Sequence, residues 1–232
     1  MKGVYMGAIV ENPLNGFAIV SRDLIRNMAI LFAFCITVFS AHVSADVSHG
    51  IGKFIDGDYA AALAELKPHA DDGDGKAMYF MAKMYYGGLG VERDFSKALA
   101  LYKKAAENGV TRAIMPVGNM YASGQGAERD MNEALKWFMR AEKSGDKDSY
   151  AAIGTVYLLG DGIEQDYKKA YEWFEKGSER GRADAKIGLA AMYYRGTGVA
   201  KNRNKAIELL TEASKDDPQA REFLAQVIND GE

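Results

Sequence analysis

The stretch MAKMYYGGLGVERDFSKALALYKKAAENG, residues 81–109, predicts two helices joined by a glycine turn. Apolar residues recur every three or four positions up to Tyr85, which is typical of a helix with one buried face. Gly88 and Gly90 then interrupt this pattern. Glycine is a poor helix former and readily adopts the positive φ that a sharp turn requires. The stretch therefore predicts a helical hairpin.

Asp94 and Gly109 mark the start and the end of the second helix of this hairpin. Aspartate is preferred at the N-cap, because its carboxylate accepts a hydrogen bond from a free backbone N–H. Glycine is preferred just beyond the last turn, where the backbone becomes left-handed. Between them, Ala98 and the pair Leu101 and Tyr102 supply an apolar face.

The same signals recur with a period of 36 residues. A single hairpin cannot bury its apolar face, whereas stacked hairpins share a continuous core. The repetition therefore predicts an all-α fold, an α-solenoid of helix-turn-helix units. The repeating columns are Tyr85, Tyr121, Tyr157 and Tyr193; Gly88, Gly124, Gly160 and Gly196; Gly90, Gly126, Gly162 and Gly198; Asp58, Asp94, Asp130, Asp166 and Asn202; and Gly73, Gly109, Gly145 and Gly181.

The period divides the chain into segments. Residues 46–73 supply mainly a second helix and are predicted to form a partial N-terminal repeat. The pattern stops at Asp217, which replaces the helix-ending glycine and precedes Pro218. Apolar residues spaced three and four apart in residues 218–232 predict a C-terminal capping helix, which covers the exposed end of the stack. The four full units are predicted at 74–109, 110–145, 146–181 and 182–217.

Residues 1–45 have the features of a signal peptide. An uncharged apolar run, MAILFAFCITVFSA at 28–41, follows two arginines and precedes the small-residue sequence VSA at 43–45. A membrane helix needs roughly 20 residues, so the run favours cleavage, with an uncleaved anchor as the alternative. The first 23 residues contain Glu11, Pro13 and Asp23, which is unusual for a signal and leaves open a start near Leu24. The mature protein is therefore expected to be exported to the periplasm, or to be secreted or envelope-associated, without stable membrane insertion.

Composition argues against several classes of function. The chain has a formal net charge of −3 and 26% charged residues, with no long basic run. Nucleic acid is therefore not an expected partner, since phosphate binding requires clustered lysine and arginine. The only cysteine, Cys35, lies inside the predicted signal. The mature chain is expected to contain no disulfide, thiol nucleophile or cysteine-based metal site.

No motif predicts catalysis or cofactor binding. The one Ser-x-x-Lys sequence, from Ser144 to Lys147, lies at a turn between units and lacks the partner motifs of a serine β-lactamase. His49 and His69 have no cysteine nearby and are not predicted to bind metal. The glycine pairs do not form a dinucleotide fingerprint or a P-loop. We therefore expect no catalytic, cofactor-binding or metal-binding residue.

The repeating unit resembles the Sel1-like repeat, a relative of the tetratricopeptide repeat. The resemblance is carried by residues 81–109 and by IGTVYLLGDGIEQDYKKAYEWFEKGSERG at 153–181, and it extends over residues 57–217. Three residues depart from the pattern: Pro116 within a first helix, Gly177 in place of alanine, and Arg203 in a column of apolar residues. The resemblance implies a right-handed superhelix and a non-catalytic adaptor that binds a protein or peptide partner.

Two columns of the repeat invite a functional interpretation. Trp137 and Trp173 are predicted to fill the core between hairpins rather than to form an aromatic ligand box. The residue between the paired glycines varies from unit to unit, as Asp161 illustrates. We infer from this variation that the position requires no side-chain chemistry.

The resemblance also implies where a partner binds, since the first helices of tetratricopeptide-like stacks line the concave face. Tyrosine and arginine are enriched at interface hot spots, and this surface contains both. The register of the units predicts partner contacts at Lys76, Tyr79, Lys83, Tyr86, Arg112, Met115, Asn119, Thr155, Leu158, Tyr194 and Arg195.

Three functional hypotheses follow. The first is an exported adaptor that holds a protein or an extended peptide in this groove, with basic residues available for an acidic segment. The second is a periplasmic regulatory subunit that restrains a sensor protein. The third is an envelope-glycan or β-lactamase-like enzyme, which the missing motifs disfavour. The sequence makes no prediction about oligomeric state.

Overall fold

A computed structural model describes residues 47–230. The predicted signal peptide at 1–45 lies outside these residues. Helices account for the regular structure of the described range, which contains no strand. The helices are α1 (47–55), α2 (Tyr59–Asp71), α3 (Gly75–Gly87), α4 (Phe95–Glu107), α5 (Ile114–Ser123), α6 (Met131–Lys143), α7 (Ser149–Leu159), α8 (Tyr167–Glu179), α9 (Ala183–Arg195), α10 (Arg203–Ala213) and α11 (Pro218–Asn229).

The helices form stacked hairpins, as the period predicts. Each helix packs on the next along the chain, and the first helices α7 and α9 also contact each other directly. The first helices of these neighbouring units therefore lie side by side in one layer. Helix α11 packs on both α10 and α9 and covers the end of the stack. The all-α solenoid with a C-terminal capping helix is confirmed.

The second helix of each unit begins with the predicted N-cap. The Asp94 carboxylate accepts a hydrogen bond from the Lys97 backbone N–H at 2.9 Å, which satisfies one of the free donors of the first turn. The same bond recurs along the column at Asp58, Asp130, Asp166 and Asn202, which accept from Ala61, Glu133, Lys169 and Lys205.

At three of the four turns, Gly90, Gly126 and Gly198, the second glycine is required by a close approach between units. Gly126 has a φ of 84°, and a Cβ built on it would lie 2.3 Å from the Phe95 carbonyl oxygen of the preceding unit. No side chain fits this gap, so the turn of one unit rests directly on the start of the previous unit's second helix. The glycine pair therefore sets how closely successive hairpins stack.

In the second and third units, the core between hairpins is filled by the phenylalanine that follows each tryptophan. Phe138 is 3% exposed and Phe174 is 1% exposed. Trp137 and Trp173 are partly buried and pack against this core without filling it, so the prediction that they belong to the core is confirmed only in part. Adjacent helical residues point about 100° apart, so the phenylalanines face the centre and the larger tryptophans do not. In the fourth unit the smaller residues Leu209 and Leu210 are both buried. The tryptophans lie at the edge, with Lys176 Nζ 4.4 Å from the Trp173 ring centroid.

Arg203 occupies a position of the repeat that is apolar in the other units, and the structure explains this difference. Elsewhere the residue in this column packs against the glycine turn of the following unit, as Phe95 does with Gly126. The fourth unit is followed by α11 instead. The Arg203 guanidinium donates hydrogen bonds to the carbonyls of Val227 at 3.0 Å and Ile228 at 2.7 Å. It therefore satisfies free carbonyls at the C-terminal end of the capping helix.

The other two departures also have local causes. A Cβ on Gly177 would lie 2.5 Å from the Ala185 Cβ, so the small residue permits close helix contact. Pro116 lies in the first turn of α5, after a 3-10 turn at Thr111–Ala113. A proline is tolerated there, because first-turn N–H groups have no acceptor within the helix.

Candidate protein-binding surface

The predicted contact residues lie on successive first helices. We call this set, together with the side chains that complete its depressions, the first-helix surface. Helix α3 carries Lys76, Tyr79, Lys83 and Tyr86; the 3-10 turn carries Arg112; α5 carries Met115 and Asn119; α7 carries Thr155 and Leu158; and α9 carries Tyr194 and Arg195.

Lys76, Tyr79 and Arg112 line one depression of about 310 Å³. Lys76 and Arg112 are exposed and Tyr79 is partly buried. Phe80 and the backbone turn at 109–111 complete the lining. The structure thus brings together two cations and an aromatic ring from two successive units, and the lining includes no acidic residue.

Tyr86 and Asn119 line a second depression of about 210 Å³ together with Tyr102, Pro116 and Met120. Tyr102 belongs to the second helix α4, and the sequence predicted it only as a core residue. Its ring lies against that of Tyr79, with centroids 5.8 Å apart. Tyr79 lines the first depression and contacts a ring that lines the second, so the two depressions are neighbours.

The hydroxyl of Tyr102 is an uncommitted hydrogen-bond donor. The residue is 5% exposed, and its hydroxyl makes no hydrogen bond to any residue in the range 47–230. Burial raises the pKa of Tyr102, and the nearby hydroxyls of Tyr79 and Tyr86 raise it further. The group is therefore neutral at physiological pH and can donate to an acceptor that enters the depression.

Lys83 is held by aromatic rings. Its ammonium lies 5.0 Å from the Phe54 ring centroid, 5.8 Å from that of Phe80 and 5.9 Å from that of Tyr79. These distances are within the range of cation–π attraction. No described carboxylate pairs with Lys83. The residue thus extends the positive surface from α3 towards α1.

A third depression of about 160 Å³ brings Leu158 and Arg195 together. Leu159 and Tyr167 also line it, and both are exposed, Leu159 to 59%. Thr155 is exposed on the same helix but lines none of these depressions. Met115 is partly buried and packs against the core. This half of the surface is mainly apolar.

Tyr194 is engaged by the capping helix. Its hydroxyl donates to the carboxylate of Asp230, which raises the pKa of Tyr194. Its ring lies 5.8 Å from that of Phe223 in α11. The structure therefore places Tyr194 in the attachment of α11, at the C-terminal border of the first-helix surface.

Some cations elsewhere in the described range form ion pairs with carboxylates, within or between units. Arg182 pairs with Asp148, and Lys186 pairs with Glu212 at 2.6 Å. Lys76, Lys83 and Arg112 have no acidic partner among residues 47–230. Their charges are therefore available to a ligand.

Sequence reasoning missed Tyr102, Pro116 and Tyr167 as lining residues. Tyr102 and Tyr167 lie on second helices, which the register excluded from the surface. Pro116 carried a visible signal, since it departs from the repeat pattern, but that signal did not indicate a cavity. The depressions form only where side chains from two units meet, which no single unit reveals.

Other kinds of site are absent from the described range. Within residues 47–230, no group of histidine, cysteine, aspartate and glutamate side chains is arranged to hold a metal ion. No helix in this range is long and apolar enough to cross a membrane.

Comparison with known proteins identifies the family. The Sel1 repeat family model matches residues 75–110, 113–146, 147–181 and 183–218. A Sel1 repeat protein from Oxalobacter formigenes is 30% identical, with a TM-score of 0.69 over 78% of this chain and 74% of that one. The protective antigen c5321 of uropathogenic Escherichia coli, which has the same repeat fold, is 26% identical with a TM-score of 0.71.

That second match covers 83% of this chain but only 42% of the antigen. A search of curated protein sequences finds no significant match. The repeat model alone accounts for more than half of the chain, and the solved structures reproduce its hairpin stack. The chain belongs to the Sel1 repeat family.

Proposed function

We propose that this protein is an exported, non-catalytic adaptor that binds a protein or peptide partner on its first-helix surface. Sel1 repeat proteins generally mediate protein–protein interactions. Export is proposed from the basic flank, apolar run and small-residue site within residues 1–45.

The observation that carries the proposal is the pair of neighbouring depressions on α3 and α5. They combine exposed tyrosine, arginine and lysine side chains with an apolar floor. Interface hot spots have this composition, because such side chains offer large contact areas together with hydrogen-bond donors. The surface is formed before any partner arrives, which reduces the entropic cost of binding.

Site-specific photocrosslinking in the native cell tests the proposal. A photoreactive phenylalanine analogue replaces Asn119 or Thr155 on the first-helix surface, and Glu172 or Asn204 at exposed positions of second helices. We expect a discrete protein adduct from Asn119 and no adduct of the same mass from Glu172 or Asn204. Adducts that come only from the second helices would show that the partner binds the opposite face.

A further inference from the structure

The N-terminal half of the first-helix surface is positively charged in a chain that is acidic as a whole. The formal net charge is −3, yet Lys76 and Arg112 line the first depression and neither depression contains an acidic lining residue. The two residues occupy equivalent positions in successive units, one period apart. This arrangement places two uncompensated cations along the line that an extended chain would follow.

Two arginine side chains of the described range form ion pairs that join neighbouring units. Arg129 pairs with Asp161, and Arg182 pairs with Asp148. Lys76 and Arg112 lie on the same repeating framework but make no such bridge in the described range. Their charges are therefore not used to join units.

Tyr102 supplies an independent observation in the second depression. Tyr102 is 5% exposed and lines the depression of about 210 Å³, and its hydroxyl has no hydrogen-bond partner among residues 47–230. The hydroxyl oxygen is within reach of solvent, so it can donate a hydrogen bond to an acceptor that enters the depression. A carboxylate oxygen is the strongest such acceptor.

We infer that this half of the surface binds an acidic segment of the partner protein in extended form. Lys76 and Arg112 pair with its carboxylates at the first depression. The Tyr102 hydroxyl donates to an oxygen of the same segment, while one of its apolar side chains occupies the second depression against Pro116 and Met120. The inference rests on the proposed function and specifies the chemistry of the partner.

Selection of random peptides tests this chemistry. Displayed random dodecapeptides are selected on the immobilised full chain, and the frequency of aspartate and glutamate is compared with that of the starting library. We expect enrichment of acidic residues at two positions, with an apolar residue nearby. A selection that yields no binding peptide, or peptides without acidic enrichment, would overturn the inference.

Variants then locate the binding. Fluorescence anisotropy measures the affinity of the best selected peptide for the parent, for the double variant Lys76→Gln and Arg112→Gln, and for Tyr102→Phe. Loss of a charge-assisted hydrogen bond weakens binding roughly 10-fold, so we expect the double variant to lose about 30-fold or more. Tyr102→Phe should lose about 5-fold, with an unchanged melting temperature because its hydroxyl joins no other residue in the described range.

The matched control removes the same charge from second helices, at the exposed residues Lys104 and Lys168. Lys104→Gln combined with Lys168→Gln should change peptide affinity less than 2-fold. Raising the salt from 50 to 300 mM should weaken the parent more than the double variant Lys76→Gln and Arg112→Gln, because fewer charges remain to be screened. An equal loss in both double variants would show a general charge effect and contradict the inference.

The two proposals fail in distinguishable ways. If the native partner crosslinks to Asn119 but the selected peptides lack acidic residues, the adaptor function stands and the acidic segment is rejected. If the native partner crosslinks only to Glu172 or Asn204, the proposed function fails whatever the peptide selection shows.

Discussion

Arg129 and Asp161 join the second and third units through a two-pronged ion pair. The guanidinium nitrogens of Arg129 donate to the two carboxylate oxygens of Asp161 at 2.9 and 2.5 Å. Arg129 Nε also donates to the Ala122 carbonyl at 2.9 Å. Asp161 is the residue between the paired glycines of its unit, so the inference that this position requires no side-chain chemistry is wrong here.

The residue between the paired glycines also forms a contact between the first and second units. The Tyr86 hydroxyl donates to Gln125 Oε1 at 3.0 Å, and Gln125 lies between the glycines of the second unit. At these two junctions the middle residue therefore complements a side chain of the preceding unit, Tyr86 for Gln125 and Arg129 for Asp161.

The Arg129–Asp161 pair predicts a pH-dependent contribution to stability. The hydrogen bond from Arg129 lowers the pKa of Asp161, so the pair stabilises the folded state above the usual aspartate pKa. That stabilisation is lost as the pH falls through the lowered pKa of the folded state. We expect Asp161→Asn to lower the melting temperature slightly at pH 7, and the difference from the parent to vanish near pH 2. Thermal unfolding at several pH values measures it.

Both partners of this pair are exposed, so the effect should be small. Asp148→Asn is not a suitable control, because Asp148 pairs with Arg182. Asp72→Asn is suitable, since Asp72 is exposed and forms no ion pair within residues 47–230. A difference at Asp161 that persists unchanged at low pH would show that the ion pair does not cause it.

Gly109 and Gly126 have the same backbone conformation, but replacing each of them with alanine should lower the free energy of unfolding by a different amount. Gly109 has a φ of 83° and Gly126 a φ of 84°, but only Gly126 faces a neighbouring backbone. We expect Gly109→Ala to lower the free energy of unfolding by about 1–2 kcal/mol, which is the cost of placing alanine at a positive φ. Gly126→Ala should cost at least about 2 kcal/mol more, because the methyl group meets the Phe95 carbonyl. Urea unfolding compares them, and equal midpoints would contradict this account of the turn.

In the third unit, we expect Phe174 to contribute more to the free energy of unfolding than Trp173. Phe174 is 1% exposed and packs between Gly154 and Gly188, whereas Trp173 is partly buried. Phe174→Ala should lower the free energy of unfolding by about 3–5 kcal/mol. Trp173→Ala should cost less than half of that, although it removes a larger side chain. A larger loss at Trp173, measured by urea unfolding, would restore the prediction made from sequence.

Arg203 predicts the local stability of the capping helix. Arg203→Met removes two hydrogen bonds to the last carbonyls of α11 while keeping an apolar stem. We expect amide hydrogen exchange in Pro218–Asn229 to become about 5–10-fold faster, with little change in α3 and α4. Arg203→Lys should give an intermediate rate, since lysine can reach one carbonyl but lacks the forked geometry. Unchanged exchange in α11 would refute this role.

The fold was predictable because each of its signals acts over a short distance. Asp94 caps a helix through a residue three positions away, and Gly109 ends the same helix through its own backbone. Repetition with one period then implies that identical hairpins stack. Phe138 and Trp137 show where such reasoning fails, since both suit an apolar face and only packing decides which points inward.

The sequence by itself determined the repeat, the helix ends, the glycine turns and the helices on which the contact residues lie. Only the tertiary structure decided that Tyr102 reaches the first-helix surface, that Arg203 caps α11 and that Arg129 meets Asp161. Local signals depend on neighbours along the chain, so the sequence contains them in full. These three contacts join different helices or loops, two of them across neighbouring units, and their geometry depends on how closely the glycine turns let the hairpins approach.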